Sequence, residues 1–182
     1  PISPNQKEAL LRNGLTGLLN THHETKQKGL WRYYDEQQQA NDLEHVINRG
    51  SLATDGIFEG LHNYTKLDYT SYDSQLGSIG GGNHFVEVQR VKKIRNGALA
   101  HAWGIKEGMI TVMIHTGSVS VGYPTAAYFV DLIREIYPKT KTYPRNGIFP
   151  LPFSGQYHSQ WKRFWQSLYN GANFAFANRL FL

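Results

Sequence analysis

The stretch QLGSIGGGNHFVEVQ, from Gln75 to Gln89, joins a glycine-rich segment to an Asn-His pair and then to an alternating apolar pattern. Glycine permits backbone conformations and close approaches that a side chain would prevent. The glycines at 77, 80, 81 and 82 therefore predict a loop held close to something bulky or charged. A bound ligand is one such object, and the residues after the loop indicate where it would lie.

Two segments have the pattern of β-strands, and each has a histidine at one end. Apolar residues alternate from Phe85 to Val91, directly after His84, and the run MITVMIH ends at His115. The second run is short, apolar and β-branched, which is typical of a buried strand. Imidazoles at strand ends are well placed for metal ligation or acid–base chemistry. His115 also leads into Thr116-Gly117-Ser118, a turn whose backbone N–H groups can bind anionic oxygens.

Helical patterns flank these strands on both sides. Apolar residues recur at helical spacing from Asn5 to Asn20, Asn41 to Arg49 and Ala126 to Tyr137, whereas the polar stretch Thr21 to Gln39 predicts an exposed loop or helix edge. From Trp161 to Leu182 an aromatic face predicts a long buried helix. We therefore expect an α+β (mixed α/β) fold with a central sheet flanked by helices.

Composition limits the class of protein. A chain of 182 residues with 40% hydrophobic content is long enough for one domain, 1–182. No segment approaches the roughly 18 apolar residues of a membrane span, so we expect a soluble, cytoplasmic protein. The absence of cysteine excludes disulfides and thiolate zinc sites within these residues. A net charge of +5 favours an anionic partner such as nucleic acid or nucleotide.

Three segments together resemble a known family. LGSIGGGNHFVEVQ, IHTGS and GANFAFANR (Gly171 to Arg179) are similar, in order and spacing, to the RtcB family of manganese- and GTP-dependent RNA ligases. The resemblance is strongest over 43–179 and corresponds to a middle portion of a usual member. It implies an RtcB-like fold that is incomplete in this chain. It also implies an enzyme that joins an RNA 3′-phosphate or 2′,3′-cyclic phosphate to a 5′-hydroxyl, with tRNA halves or broken RNA ends as partners.

The resemblance also implies roles for particular residues. His84 and His115 would each bind one of two manganese ions (Mn2+), and Asn83 would contact phosphate oxygens of GTP or RNA. Phe85 would line the nucleotide pocket, and Glu87 would hydrogen-bond the guanine base. These residues agree with the chemistry of the site, since imidazole suits a transition metal and a glycine loop lets phosphate come close.

The sequence departs from the family pattern at several points. The family's Asp-x-x-Cys segment precedes the region shown here, and its guanylated histidine lies beyond the ANR segment, so no catalytic nucleophile is identifiable in this chain. The family stretch H-[ST]-G-S-R-G-L-G-H appears as HTGSVSVGY. Val119 therefore replaces an arginine that would grip an RNA phosphate, and Tyr123 replaces a histidine. Valine cannot supply the charge-assisted contact of a guanidinium.

Two functions follow from these similarities and departures. The first is an RNA ligase of which this chain is a truncated or partial piece, so that these 182 residues alone are expected to be inactive. The alternative is a degenerate, catalytically inactive relative that serves as a nucleotide- or RNA-binding protein or as a structural interaction protein. In either case a missing segment or a partner is expected to cover the apolar C-terminal helix.

Overall fold

A computed structural model describes residues 2–22, 29–58, 61, 75–139, 141–151 and 155–182, with the backbone alone for 29, 30 and 120. The described residues form two β-strands, β1 (Phe85–Arg90) and β2 (Ile110–His115). They also form five α-helices, which are α1 (Pro4–Asn20), α2 (Glu36–Glu44), α3 (Gly97–Ala102), α4 (Val119–Ile136) and α5 (His158–Leu180). Short 3-10 turns span Gly29–Tyr33, Ile47–Gly50 and Gly155–Tyr157. The α+β class is confirmed.

Helix α1 begins where the sequence indicates and packs along α5. Ser3 caps it, because its side chain accepts from the Gln6 N–H at 3.0 Å while the Gln6 side chain accepts from the Ser3 N–H at 2.9 Å. At Gly14 the helix is kinked, with φ at 63°. Leu10, Leu11 and other leucines of α1 are buried in the core cluster that α5 helps to form.

The buried face of α5 differs from the predicted one. Trp165 and Leu168 of the expected aromatic face are 38% and 43% exposed. Apart from Phe174, the buried residues of α5 are small or amide-bearing, and they include Asn170, Asn173 and Asn178, each fully buried. The prediction was wrong because a pattern of apolar residues does not identify buried asparagines, whose amides form hydrogen bonds with backbone groups of neighbouring loops.

Strands β1 and β2 form an antiparallel pair in which Phe85 lies opposite His115 and Arg90 opposite Ile110. Both strands were predicted, but the burial expected for the second is wrong: Ile110 and Val112 are 60% and 61% exposed. In the described part of the chain the core cluster is built from helical and loop residues rather than from these strands. The apolar run therefore predicted that a strand forms here but not that its side chains are exposed.

Elsewhere the helix boundaries differ from the predicted ones. Of the two alternatives for the polar run EQQQ, a loop or a helix edge, the structure has the helix, since Glu36 begins α2 and the Asp35 side chain accepts from the Gln38 N–H at 2.7 Å. The helix expected over Asn41 to Arg49 ends at Glu44 with His45 as its C-cap, and Asn48 and Arg49 lie in a separate turn with positive φ values of 50° and 52°. The helix expected at Ala126 begins earlier, at Val119. Within the described residues, no helix is long and apolar enough to cross a membrane.

Candidate functional site

The two histidines chosen from the sequence lie next to each other. His115 is the last residue of β2, and His84 directly precedes β1, so the strand pairing brings their rings to a centroid separation of 5.7 Å. The Phe85 ring meets the His115 ring edge-on, with centroids 5.2 Å apart. His84 is half-buried and His115 is exposed. The expected convergence of the two imidazoles at the strand ends is therefore present.

The neighbours of Gly80 explain why this position of the glycine loop has no side chain. Gly80 has φ at 85°, and a Cβ atom there would lie 2.7 Å from Cγ1 of Val119 and 2.9 Å from Nδ1 of His84. Both the backbone conformation and the space thus require glycine. The bulky neighbours of Gly80 are the His84 ring and the Val119 side chain, and Gly77 lies against Phe181. Gly82 has φ at 73°, and no atom of the described residues would lie within 4 Å of a Cβ there.

Asn178 of α5 joins the glycine loop to the turn after His115. Its Oδ1 accepts from the N–H groups of Gly77 and Ser78, at 2.9 and 3.1 Å. Its Nδ2 donates to the Ser78 carbonyl at 2.9 Å, and at 3.2 and 3.1 Å to Thr116 Oγ1 and the Gly117 carbonyl. Thr116 completes the junction by donating from Oγ1 to the Ile79 carbonyl at 2.7 Å. One buried amide thus positions both loops that carry the histidines.

Arg179 adds a cation to the same junction. Its Nη1 donates to the Thr116 carbonyl at 3.2 Å, and its guanidinium lies 5.0 Å from the centroid of the Phe176 ring. Burial lowers the pKa of Arg179 below its ordinary value, because the charged form is partly removed from water. Sequence reasoning assigned no role to Asn178 or Arg179. The available signal was the polar pair itself, at the end of an otherwise small and apolar helical segment.

The expected nucleotide-binding residues lie around the histidines. Asn83 is exposed and borders the open side of the glycine loop. Phe85, Glu87 and His115 share one face of the strand pair, because Phe85 lies opposite His115 and Glu87 follows at the next same-face position. Glu87 is exposed and accepts a hydrogen bond from Gln89 Nε2 at 2.8 Å. All of these polar groups are accessible to a ligand approaching that face.

The two departures from the family pattern lie at the start of α4. Val119, its first residue, packs against Gly80 and has φ at 38°, a left-handed conformation that β-branched residues rarely adopt. Tyr123 is 82% exposed. An apolar side chain therefore lies beside His84 where the family pattern has a guanidinium.

The two imidazoles present nitrogen donors of the kind that bind transition metals. Nδ1 of His84 is buried without a hydrogen-bond partner in the described part of the chain, so its lone pair or proton is unsatisfied by protein. Imidazole nitrogen is a common ligand of first-row transition metals, whereas manganese also favours oxygen ligands. Among the described residues no group of three or more metal-ligating side chains occurs. The donors fit a transition metal but do not complete its coordination.

Comparison with known proteins identifies the family. A family profile described as "tRNA-splicing ligase RtcB" matches residues 7–182. The chain is 37% identical over 106 residues to the tRNA-splicing ligase RtcB of Thermococcus kodakarensis, covering 58% of this chain and 21% of the relative. It is 32% identical over 142 residues to that of Aeropyrum pernix, covering 76% of this chain and 27% of the relative.

A further relative is matched over a longer part of the chain. The tRNA-splicing ligase RtcB of Methanococcus maripaludis is 29% identical over 153 residues, which cover 82% of this chain and 30% of the relative. This chain therefore spans between 21% and 30% of the length of these three relatives. Since the profile matches nearly the whole chain, and the segments that carry the resemblance lie within the match, this chain belongs to the RtcB family.

Proposed function

We propose that this chain is the part of an RtcB-type RNA ligase that binds metal and nucleotide. The ligase joins an RNA 3′-phosphate or 2′,3′-cyclic phosphate to a 5′-hydroxyl and uses GTP and manganese. The observation that carries the proposal is the pair His84 and His115, whose ring centroids are 5.7 Å apart beside a glycine loop. Membership of a family whose relatives are named tRNA-splicing ligases supports the choice of RNA.

The chemistry of the surrounding residues is consistent with phosphate binding. The glycine loop borders the histidines without bulky side chains, and the turn after His115 leads into α4, an 18-residue helix whose N-terminus favours negative charge. Arg179 adds a positive charge at Thr116. A bound metal would neutralise charge on phosphoryl oxygens, a contribution of several kcal/mol in such reactions. His84 and His115 would hold it, Asn83 would contact phosphate, and Phe85 and Glu87 would contact the nucleotide.

The remaining ligands and the guanylated histidine would come from segments outside this chain. We therefore expect the 182-residue chain to bind manganese weakly through its two histidines and to form no covalent guanylate. A longer natural polypeptide containing this chain would form the guanylate and join RNA ends. Its place in the cell would be the cytoplasm.

Manganese binding by histidine variants tests the proposed site. The free Mn2+ signal in electron paramagnetic resonance gives the affinity of the unmodified chain and of His84→Ala and His115→Ala. We expect each substitution to weaken binding about tenfold or more, because even outer-shell partners of a metal contribute 10–100-fold. His101→Ala, which changes an exposed histidine of α3, is the matched control and should leave the affinity unchanged. Equal affinities for all four proteins would overturn the metal site.

A second function is favoured by Val119. Because valine lies where the family pattern has a phosphate-binding arginine, the chain fits an inactive relative that retains nucleotide or RNA binding without joining. Intact mass after incubation of the longer natural polypeptide with GTP and manganese separates the two. A guanylate adduct supports the ligase, and its absence together with retained manganese binding supports the inactive relative. Val119→Arg should raise RNA affinity if this position faces RNA phosphate.

A further inference from the structure

The first half of α5 carries a row of aromatic side chains on its outer surface. Trp161, Trp165 and Tyr169 follow each other at four-residue spacing, with ring centroids 6.1 and 5.8 Å apart. His158 extends the row, since its ring stacks on that of Trp161 with centroids 5.9 Å apart and planes at 15°. Trp165 is 38% exposed, and His158 is exposed. Trp161, Trp165 and Tyr169 were expected to be buried, but Trp165 is exposed and the other two rings are only half-buried.

Cations lie beside this aromatic row. A groove of about 330 Å³ brings Lys162, Arg163 and Gln166 of α5 together with the three rings, and Asp55 is the acidic residue on its wall. Lys162 and Arg163 are both exposed. The ion pairs of the described residues join other side chains, Arg12 with Glu8 and Arg134 with Asp131. Neither groove cation therefore forms an ion pair with a carboxylate of the described residues.

Helix α5 as a whole has more basic than acidic residues. From His158 to Leu180, α5 contains Lys162, Arg163 and Arg179 but no aspartate or glutamate. An apolar protein surface placed over the groove would bury two unpaired cations, which is costly. A polyanion with planar bases fits this surface, because its phosphates pair with the two cations and its bases stack on the aromatic rings.

We propose that this groove, which we call the α5 aromatic groove and define by Trp161, Lys162, Arg163, Trp165 and Tyr169, binds an unpaired strand of RNA. The bases would stack on Trp165 and its neighbouring rings, and the backbone would follow Lys162 and Arg163. Stacking does not depend on base identity, so binding would be largely independent of sequence. The surface uses neither His84 nor His115; only the choice of RNA as the occupant rests on the proposed function.

Fluorescence anisotropy of a short labelled RNA tests the proposal, with chelator present and GTP absent so that metal and nucleotide play no part. We expect Trp165→Ala to weaken binding of unpaired RNA about tenfold, the amount that follows from losing one stacked base. Trp165→Phe keeps a ring and should retain most of the affinity. Trp103→Ala removes a tryptophan that is 68% exposed outside the groove and should have no effect.

Charge reversal tests the phosphate contacts separately. The double variant Lys162→Glu/Arg163→Glu should weaken binding and flatten its salt dependence by about 1.4 in log–log slope, at roughly 0.7 per phosphate contact for a single strand. Lys92→Glu/Lys93→Glu makes the same change of charge at exposed lysines outside the groove and is the matched control. Circular dichroism of each variant checks that the fold is retained.

Specific results would overturn the proposal. Equal affinity for unpaired and duplex RNA, or equal weakening by the control and groove charge variants, would reduce the binding to general electrostatics. No binding of RNA by the unmodified chain would exclude the groove as an RNA surface. Trp165→Ala should bind manganese as tightly as the unmodified chain, because neither His84 nor His115 lines the groove. This result separates a failure of the groove from a failure of the proposed metal site.

Discussion

Asn178 shows how much one side chain contributes when its whole hydrogen-bonding capacity is used in the core. Fully buried, it accepts from two N–H groups of the glycine loop and donates to groups of both the loop and the turn after His115. Asn173 makes the same kind of network elsewhere: it accepts from the Leu52 N–H at 2.8 Å and donates to the Leu11 and Leu52 carbonyls at 3.0 and 2.7 Å. The two asparagines therefore differ in location rather than in chemistry.

This pair provides a matched test of positioning. We expect Asn178→Ala and Asn173→Ala each to lower the free energy of unfolding by about 3 kcal/mol, since each leaves buried backbone groups unsatisfied. Urea denaturation measures the loss. Asn178→Ala alone should also shift the imidazole resonances of His84 and His115, because it alone releases the loops beside them. If Asn173→Ala moves those resonances as far, Asn178 has no special part in positioning the histidines.

At the scale of the element, the kink in α1 makes glycine more favourable than alanine at position 14. Glycine inside a helix is ordinarily less stable than alanine by about 1 kcal/mol. Gly14, however, has φ at 63°, and a Cβ atom there would lie 2.5 Å from both the Gly50 carbonyl oxygen and the Ser51 Cα. The kink thus allows α1 to contact the backbone of residues 50 and 51 directly. Helix propensity and tertiary packing oppose each other at this position.

Replacing Gly14 shows which effect is larger. We expect Gly14→Ala to destabilise the protein by roughly 2–4 kcal/mol rather than stabilise it, because the substitution adds both a strained φ and a backbone clash. Thermal unfolding followed by circular dichroism measures the change. Gly97→Ala, at the start of α3, is the control: a Cβ atom there meets nothing within 4 Å, and stability should change little. A stabilised Gly14→Ala would show that the helix tolerates a regular turn here.

For the molecule as a whole, burial is unevenly distributed. In the described part of the chain, Leu10, Leu18 and Phe174 are fully buried where α1 and α5 meet, whereas Val88 and Val112 of the strand pair are 76% and 61% exposed. A pair of strands without a covered apolar face is marginally stable by itself. The helical core and the strands that carry the histidines therefore differ in the interactions that hold them.

Hydrogen exchange measures this difference. We expect the central amides of α1 and α5 to exchange through global unfolding and those of β1 and β2 through smaller local openings, since few buried apolar contacts hold the strands. Exchange followed by mass spectrometry or by nuclear magnetic resonance gives the opening free energy of each segment. Equal protection of strands and helices in the monomeric chain would contradict the described distribution of burial.

Several features were predictable because they depend on local chemistry. The first helix near Asn5, the β1 strand after Asn83-His84 and the approach of His84 to His115 follow from helical spacing, alternation and strand-end position. The family was recognisable for the same reason, because its motifs are contiguous. The boundaries of α2 and α4 were less accessible, since they depend on the Asp35 cap and on the turn after His115.

The α+β class, the family and the residues of the candidate site were predictable from the order of amino acids alone, since they are set by short-range pattern and by motif identity. Which face of α5 is buried, and why residue 80 is glycine, became evident from the folded chain. Those outcomes depend on groups distant along the chain: Asn178 meets the backbone of Gly77 and Ser78, and Gly80 meets Val119. A contact between distant segments satisfies polar groups or excludes a side chain in ways that no local periodicity encodes.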